Sequence, residues 1–132
     1  MNRPSHLGLR HLALCVTEIE HCRDFYCDLL GMHIVWQPDP DNIYLSSGAD
    51  NLALHRAALP FKANTMQHLD HLGFFLNSPD AVDEWHAYLA LHQVPILAPP
   101  KNHRDGTRSF YCSDPDGNVV QMIYYPMTHE PP

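Results

Sequence analysis

The chain has 132 residues, enough for about one compact domain with a small hydrophobic core. Hydrophobic residues make up 45% and charged residues 17%, a balance typical of globular proteins, so we exclude wholesale disorder. Lys and Arg number 8 against 15 Asp and Glu, giving a net charge of −7. Because that charge repels phosphate backbones and anionic lipid surfaces, we expect neither nucleic acid nor membrane partners.

Targeting signals and cysteine usage favour the cytoplasm. No apolar run approaches the roughly 20 residues that a membrane helix needs, and the N-terminal residues lack the build of a signal peptide. The 4 cysteines contain no C-x-x-C pair, so we expect reduced thiols in a cytoplasmic protein. The 11 histidines do not by themselves distinguish a metal site from ordinary surface residues.

An internal repeat organises the chain. The sequence R-H-L-A-L that contains His11 is echoed by D-H-L-G-F around His71, an offset of 71 − 11 = 60 residues. At the same offset Leu29 matches Leu89, so a strand followed by an amphipathic helix occurs twice. The sequence therefore predicts two similar halves.

The first half reads as a βαβββ unit. Alternation predicts a strand over 11–16, and T-E-I-E from Thr17 has the form of a capping box that begins a helix. The helix is predicted to end at Gly31, because glycine adopts the left-handed C-terminal conformation most easily. Three further strands are predicted over 32–37, 43–47 and 51–56, separated by turn-rich segments.

The second half repeats this pattern. A strand is predicted over 71–76, followed by a helix that Ser78 and Pro79 open as N-cap and first-turn residues. Strands are predicted over 94–97, 109–112 and 118–125, the last following a D-P-D-G turn. We expect a linker over 59–67 and a loosely ordered tail over 126–132.

Three groups of residues carry a resemblance to a known family. The paired H-L strands, the D-F-Y to L-G helix end and the sequence F-Y-C-S-D-P-D-G-N from Phe110 resemble the vicinal oxygen chelate superfamily, over nearly the whole chain. That superfamily includes glyoxalase I, fosfomycin resistance proteins, extradiol dioxygenases and bleomycin-binding proteins. The resemblance implies an α+β fold in which two βαβββ modules, about 7–58 and 68–126, form a single domain over 1–132. Each module would curl a mixed sheet into a cup that holds a divalent metal.

Strand alternation places three candidate metal ligands. His11 shares a face with Ala13, and the same argument turns His71 and Gln121 to the inside of the second sheet. The resemblance implies that His11, His71 and Gln121 occupy metal-ligand positions, the last of which is usually Glu in the family. The alternative for each is an inward-facing residue that only hydrogen-bonds within the wall of the cup.

A fourth ligand position falls, by the same resemblance, on Ala53, which cannot coordinate a metal. His55 lies two residues further on the same face and is a substitute candidate. Two imidazoles and an amide form a neutral set, which holds Zn, Ni, Co, Mn or Fe more weakly than a set with a carboxylate. We therefore expect a divalent transition metal that is weakly held or absent.

Substrate-binding candidates lie in a polar loop and on aromatic positions. Arg104 and Arg108 flank a flexible glycine and suit bidentate capture of a carboxylate or phosphate, although exposed loop arginines are often merely solvated. Tyr111, Phe75 and Trp36 either line the pocket or fill the sheet interface.

The expected function is that of a metal-dependent enzyme on a small oxygenated molecule, nominally a glyoxalase I-like lyase or isomerase. The alternatives are an extradiol-type dioxygenase and a metal-free protein that sequesters an aromatic or cationic drug-like molecule. Isomerisation needs a base and extradiol cleavage a carboxylate ligand, and the sequence shows neither at the usual positions. In short family members two chains commonly pair, so we expect a homodimer whose cups take His11 from one subunit and His71 with Gln121 from the other.

Overall fold

The computed structural model describes residues 2–3, 5, 7–59 and 69–126. The chain divides into two compact units, Met1–Lys62 and Ala63–Pro132. Apart from residues 59 and 126, the predicted linker and tail lie outside the described residues. Within the described parts of the chain, no helix has the length and apolar character needed to span a membrane. The single domain expected over 1–132 stays a prediction.

The first unit is a βαβββ arrangement, as predicted. Its strands form one four-stranded sheet in the order β1-β4-β3-β2, in which β1 runs parallel to β4 and the other pairs are antiparallel. The elements are β1 (His11–Val16), α1 (Ile19–Asp24), a π-helical turn (Phe25–Leu29), β2 (His33–Asp39), β3 (Asn42–Ser46) and β4 (Asn51–Arg56).

The helix of the first unit begins differently from the prediction. The N-cap is Glu18 rather than the predicted Thr17, and the Glu18 side chain makes no capping hydrogen bond. The helical segment ends as predicted at Gly31, whose φ of +81° lies in the left-handed region. The N–H of Gly31 donates to the carbonyl oxygen of Cys27 at 3.1 Å.

The second unit repeats the topology of the first. Its sheet has the order β5-β8-β7-β6, again with the first pair parallel and the others antiparallel. Ser78 caps the helix as predicted, since its hydroxyl oxygen accepts from the N–H of Ala81 at 3.1 Å. The elements are β5 (Leu72–Leu76), α2 (Pro79–Leu91), β6 (Ile96–Asn102), β7 (Arg108–Ser113) and β8 (Val119–Tyr124). The α+β class of the fold is therefore confirmed.

Strand β1 buries one of its faces and exposes the other. In β1, Leu14 and Val16 are buried, whereas His11, Ala13 and Cys15 are exposed, as strand alternation predicts. Other buried residues include Ile19, Tyr26 and Leu54 in the first unit and Val82, Leu89, Phe110 and Met122 in the second.

One outer strand of each sheet is irregular, β2 in the first and β6 in the second. The pairing of β2 with β3 shifts register twice, and so does the pairing of β6 with β7. Pro38 lies within β2, and Pro99 and Pro100 lie within β6. The strand predicted over 94–97 is thus later and longer in the structure, because an outer strand tolerates prolines that a central strand would not.

Candidate functional site

His11 lies at the start of β1, directly opposite Asn51 of the parallel strand β4. Its Nδ1–H donates to the Asn51 side-chain oxygen at 2.8 Å. In a neutral imidazole with its proton on Nδ1, the lone pair lies on Nε2, which is the nitrogen then able to bind a metal. The contact with Asn51 therefore selects the ligand tautomer of His11.

His71 has an equivalent partner in the second unit. Its Nδ1–H donates to the carboxylate of Asp70 at 2.6 Å, which again leaves the lone pair on Nε2. The ring meets Tyr111 edge-on, with centroids 5.5 Å apart and planes at 86°. A carboxylate on the far nitrogen raises the basicity of the imidazole as a ligand more than an amide does.

His55 shows the same arrangement a third time. Its Nδ1–H donates to the side-chain oxygen of Asn42 at 2.6 Å, and its ring packs edge-on against Tyr44 with a centroid distance of 5.8 Å. Ala53, two residues earlier on β4, is fully buried and offers no donor atom. On this strand, His55 is thus the side chain with a nitrogen available to a metal.

Gln121 is held through its amide nitrogen. Nε2 donates to the hydroxyl oxygens of Ser109 at 3.1 Å and Tyr111 at 3.0 Å, so its carbonyl oxygen carries the remaining coordinating capacity. Gly73 is the register partner of Gln121, and a Cβ added there would lie 3.9 Å from the Gln121 side-chain oxygen. The missing side chain at Gly73 leaves space beside that oxygen.

The register also identifies the counterpart of Gln121 in the first unit. Ala13 pairs with Ala53 on β1 and β4, and Gly73, which lies 73 − 13 = 60 residues after Ala13, pairs with Gln121 on β5 and β8. Ala53 therefore occupies the repeat position that Gln121 occupies in the second unit. The repeat places a polar ligand candidate at this point in one half and a methyl group in the other.

A pocket of about 580 Å³ opens beside Gln121 in the second unit. Asp105 contributes a carboxylate that accepts hydrogen bonds from the hydroxyl and N–H of Thr107, at 2.7 and 3.0 Å, and these bonds hold its pKa below the usual range. The lining residues are Lys101, Asn102, His103, Arg104, Asp105, Thr107, Tyr111, Gln121, Ile123 and Tyr125. Such a volume is within the range of small-molecule sites.

The two loop arginines lie in different surroundings. Arg104 lines the pocket, whereas Arg108 forms an ion pair with Asp83 of α2 at 2.6 Å and donates to the Asn102 side-chain oxygen at 3.0 Å. The hydrogen bond from Arg108 lowers the pKa of the Asp83 carboxyl. Arg104 is therefore the arginine of the pair that faces the pocket.

The predicted aromatic residues occupy separate positions. Tyr111 lines the pocket, and Phe75, which is 79% exposed, stacks on Tyr125 with ring centroids 6.0 Å apart. Trp36 belongs to the first unit, where it is 59% exposed and lies 5.0 Å from the ring of Tyr44. Substrate binding by any of these three residues stays a prediction.

The available donors fit a divalent transition metal chemically. Within residues 2–3, 5, 7–59 and 69–126, no three His, Cys, Asp or Glu side chains form a cluster. The first unit instead offers the Nε2 atoms of His11 and His55, and the second offers that of His71 and the amide oxygen of Gln121. Imidazole nitrogens with one oxygen donor suit Zn, Ni, Co or Fe(II), so the residues present fit such an ion.

Several site residues were missing from the sequence predictions. Asp70 precedes His71 directly, so the D-H pair was visible in the sequence as a signal. Asn51 and Asn42 lie 40 and 13 residues from the histidines that they contact, and only the strand register brings each pair together. Ser109 was expected in a strand, but nothing in the sequence indicates that its hydroxyl would hold Gln121.

Comparison with protein families gives one match over most of the chain. Residues 8–122 match the Glyoxalase/Bleomycin resistance protein/Dioxygenase superfamily. Among curated proteins, the metallothiol transferase FosB of Staphylococcus epidermidis is 24% identical over 115 residues, covering 87% of this chain and 81% of that protein. The biphenyl-2,3-diol 1,2-dioxygenase 3 of Rhodococcus globerulus is 28% identical over 123 residues, covering 86% of this chain and 61% of that protein.

Solved structures share the fold. Lactoylglutathione lyase from Agrobacterium tumefaciens aligns with a TM-score of 0.78 at 20% identity, covering 96% of this chain and all (100%) of that one. An integron cassette protein from the mobile metagenome of V. cholerae aligns with a TM-score of 0.68 at 27% identity, covering 95% of this chain and 98% of that one.

Proposed function

Because the chain belongs to the glyoxalase/bleomycin resistance protein/dioxygenase superfamily, we propose that it is a divalent-metal-dependent enzyme acting on a small oxygenated molecule. One observation carries this proposal: His11, His55 and His71 each donate Nδ1–H to a side-chain oxygen, at 2.8, 2.6 and 2.6 Å. Partners of this kind orient metal-binding histidines, and they leave every Nε2 with its lone pair.

In this proposal the metal is held by His11, His71 and the side-chain oxygen of Gln121, with His55 as a further candidate ligand. A bound divalent ion would supply Lewis-acid stabilisation of negative charge on two neighbouring oxygens of the substrate. Asn51 and Asp70 keep the two imidazoles in the ligand tautomer. Pairing of two subunits is proposed to bring His11 of one chain to His71 and Gln121 of the other.

The reaction proposed first is the glyoxalase I-like lyase or isomerase reaction. It requires a base that moves a proton between adjacent carbons. Asp105 is poorly suited to that role, because the hydrogen bonds from Thr107 lower its pKa and reduce its basicity. His103 is the other candidate among the pocket-lining residues, and its Nε2 lies 3.1 Å from the Ser109 hydroxyl.

Addition of a thiol to a small electrophile is the second candidate. It needs an activated nucleophile and charge stabilisation but no carboxylate that shuttles a proton between carbons. The match to a metallothiol transferase over 87% of this chain favours it as well. An extradiol-type ring cleavage and metal-free sequestration of a small molecule remain as outcomes of the test.

The test begins with metal content. Protein stripped with EDTA is dialysed against Co²⁺ or Zn²⁺, and bound metal is measured for the wild type, His71→Ala and a control, His21→Ala, whose side chain is 71% exposed on α1. We expect near-stoichiometric metal in the wild type and the control and loss in His71→Ala. A wild type that takes up no metal would contradict the proposal and support the sequestering protein.

The loaded protein is then assayed with two probes, the hemithioacetal of methylglyoxal and glutathione, and an epoxide with a thiol. Protein loaded anaerobically with Fe²⁺ is assayed with a third probe, a catechol with oxygen, because ring cleavage needs a redox-active metal. Turnover that disappears in His71→Ala assigns the reaction. Turnover of the catechol alone would replace the lyase assignment with ring cleavage. Loaded protein without turnover of any probe would contradict both reactions proposed here.

A further inference from the structure

The hydrogen bonds around Gln121 have a direction. Its Nε2 donates to the oxygens of Ser109 and Tyr111, so each hydroxyl accepts there and keeps its own proton to donate elsewhere. The Ser109 hydroxyl also lies 3.1 Å from Nε2 of His103. Tyr111 lines the pocket, so its hydroxyl proton is available to a bound molecule. An amide at position 121 thus makes Tyr111 a donor toward the pocket.

Two cations line the same pocket. Lys101 and Arg104 contribute positive charge there, whereas the third cation within residues 69–126, Arg108, is neutralised by Asp83. The carboxylate that lines the pocket, Asp105, accepts two hydrogen bonds from Thr107, and its negative charge is smaller than the combined positive charge of Lys101 and Arg104. In a chain with a net charge of −7, this pocket is a local site of excess positive charge and hydrogen-bond donors.

Apolar surface adjoins these donors. Ile123 and Tyr125 line the pocket, and Phe75 extends the apolar surface by stacking on Tyr125. Phe75 is 79% exposed, so this surface is accessible to a ligand. A ligand that satisfies both parts of the pocket carries acceptor oxygens at one end and an apolar or aromatic body at the other.

We infer that the pocket of the second unit binds an amphipathic anion, whose carboxylate or phosphonate oxygens accept from Lys101, Arg104 and Tyr111 and whose apolar body lies on Ile123 and Tyr125. The inference names a substrate class and rests on the proposed function for the role of that anion as substrate. It differs from the cationic drug-like molecule given above as one alternative, because the local charge of the pocket is opposite in sign to that of the chain.

The experiment measures binding to metal-free protein by calorimetry in the presence of EDTA. The probes share one aromatic ring: benzoate, phenylphosphonate, neutral benzamide and cationic benzylamine; inorganic phosphate tests the anion without the ring. We expect at least one aromatic anion to bind about tenfold or more tighter than benzamide, benzylamine and phosphate, since charge-assisted hydrogen bonds are the strong ones. Benzoate and phenylphosphonate then distinguish which oxyanion is preferred.

Variants locate the site. Arg104→Gln and Lys101→Gln should each weaken binding of the preferred anion by about tenfold, and Tyr111→Phe by about threefold to tenfold. Arg108→Gln is the matched control, because it removes the same charge from an arginine that does not line the pocket. Thermal unfolding confirms that each variant is folded. Equal losses in Arg104→Gln and Arg108→Gln, or benzylamine binding as tightly as the anions, would overturn the inference.

The two proposals fail separately. Anion binding by a protein that takes up no metal would support the anionic ligand and overturn the metal-dependent function. Metal uptake by a protein that does not prefer the anions would support the ligand set and overturn the inference about the pocket.

Discussion

Removing the carboxylate behind His71 tests the proposed metal site at a residue that would not itself touch the metal. Asp70 accepts the Nδ1–H of His71 at 2.6 Å, a short charge-assisted bond. Such partners typically contribute roughly 10–100-fold to metal affinity. The Asp70 side chain is 94% exposed, so solvent screening places the expected loss in Asp70→Ala at the lower end of that range, about tenfold.

The assay is competition calorimetry with Co²⁺ on EDTA-stripped protein. Asp24→Ala is the matched control, because it removes an exposed carboxylate that pairs with Arg23 and contacts no candidate ligand. Asn51→Ala, which removes a neutral partner from His11, should cost less than Asp70→Ala, about threefold. If Asp70→Ala and Asp24→Ala bind Co²⁺ equally, the ligand role of His71 through Nε2 is refuted.

Three further predictions follow from the same geometry. Gln121→Glu should tighten metal binding because a carboxylate replaces a neutral donor; equal or weaker affinity by calorimetry would remove Gln121 from the ligand set. In the dimer that pairs one His11→Ala subunit with one His71→Ala subunit, we expect one intact site and about half of the wild-type metal. No recovery after confirmed subunit exchange, or a monomer at micromolar concentration, would contradict a shared site. Asp83→Asn should lower the melting temperature above pH 3.8, because the ion pair with Arg108 lowers the Asp83 pKa from 3.8. The difference in melting temperature between wild type and variant should shrink as the pH falls below that value. A constant difference down to about pH 2.5 would contradict this prediction.

The order of elements could be predicted because periodicity and turn residues are local signals. The strand over 11–16 and the cap at Ser78 agree with the structure for that reason. The start of α1 and the extent of β6 could not be predicted in this way. The first depends on packing, and the second depends on the outer position of the strand in its sheet. The face of β1 on which His11 lies follows from strand alternation alone. The contact between His11 and Asn51 depends on the register between β1 and β4, which the sequence does not show.

The loop arginines show the same limit at the candidate site. Arg104 and Arg108 have equal chemistry and lie four residues apart, so the sequence gives both the same interpretation. The structure separates them because Asp83, 25 residues before Arg108, reaches its guanidinium from α2. Pairing across that distance depends on how the helix packs on the sheet, and the pattern of residues in the sequence does not specify that packing.

The prolines of the outer strands limit how the sheets can be extended. A strand laid along β2 or β6 from another chain would need a continuous ladder of N–H donors, and Pro38, Pro99 and Pro100 supply none. The register shifts in both strands break the ladder further. Fibrillar growth by strand addition is therefore disfavoured at both of these edges, even though β2 exposes Ile34, Val35 and Trp36.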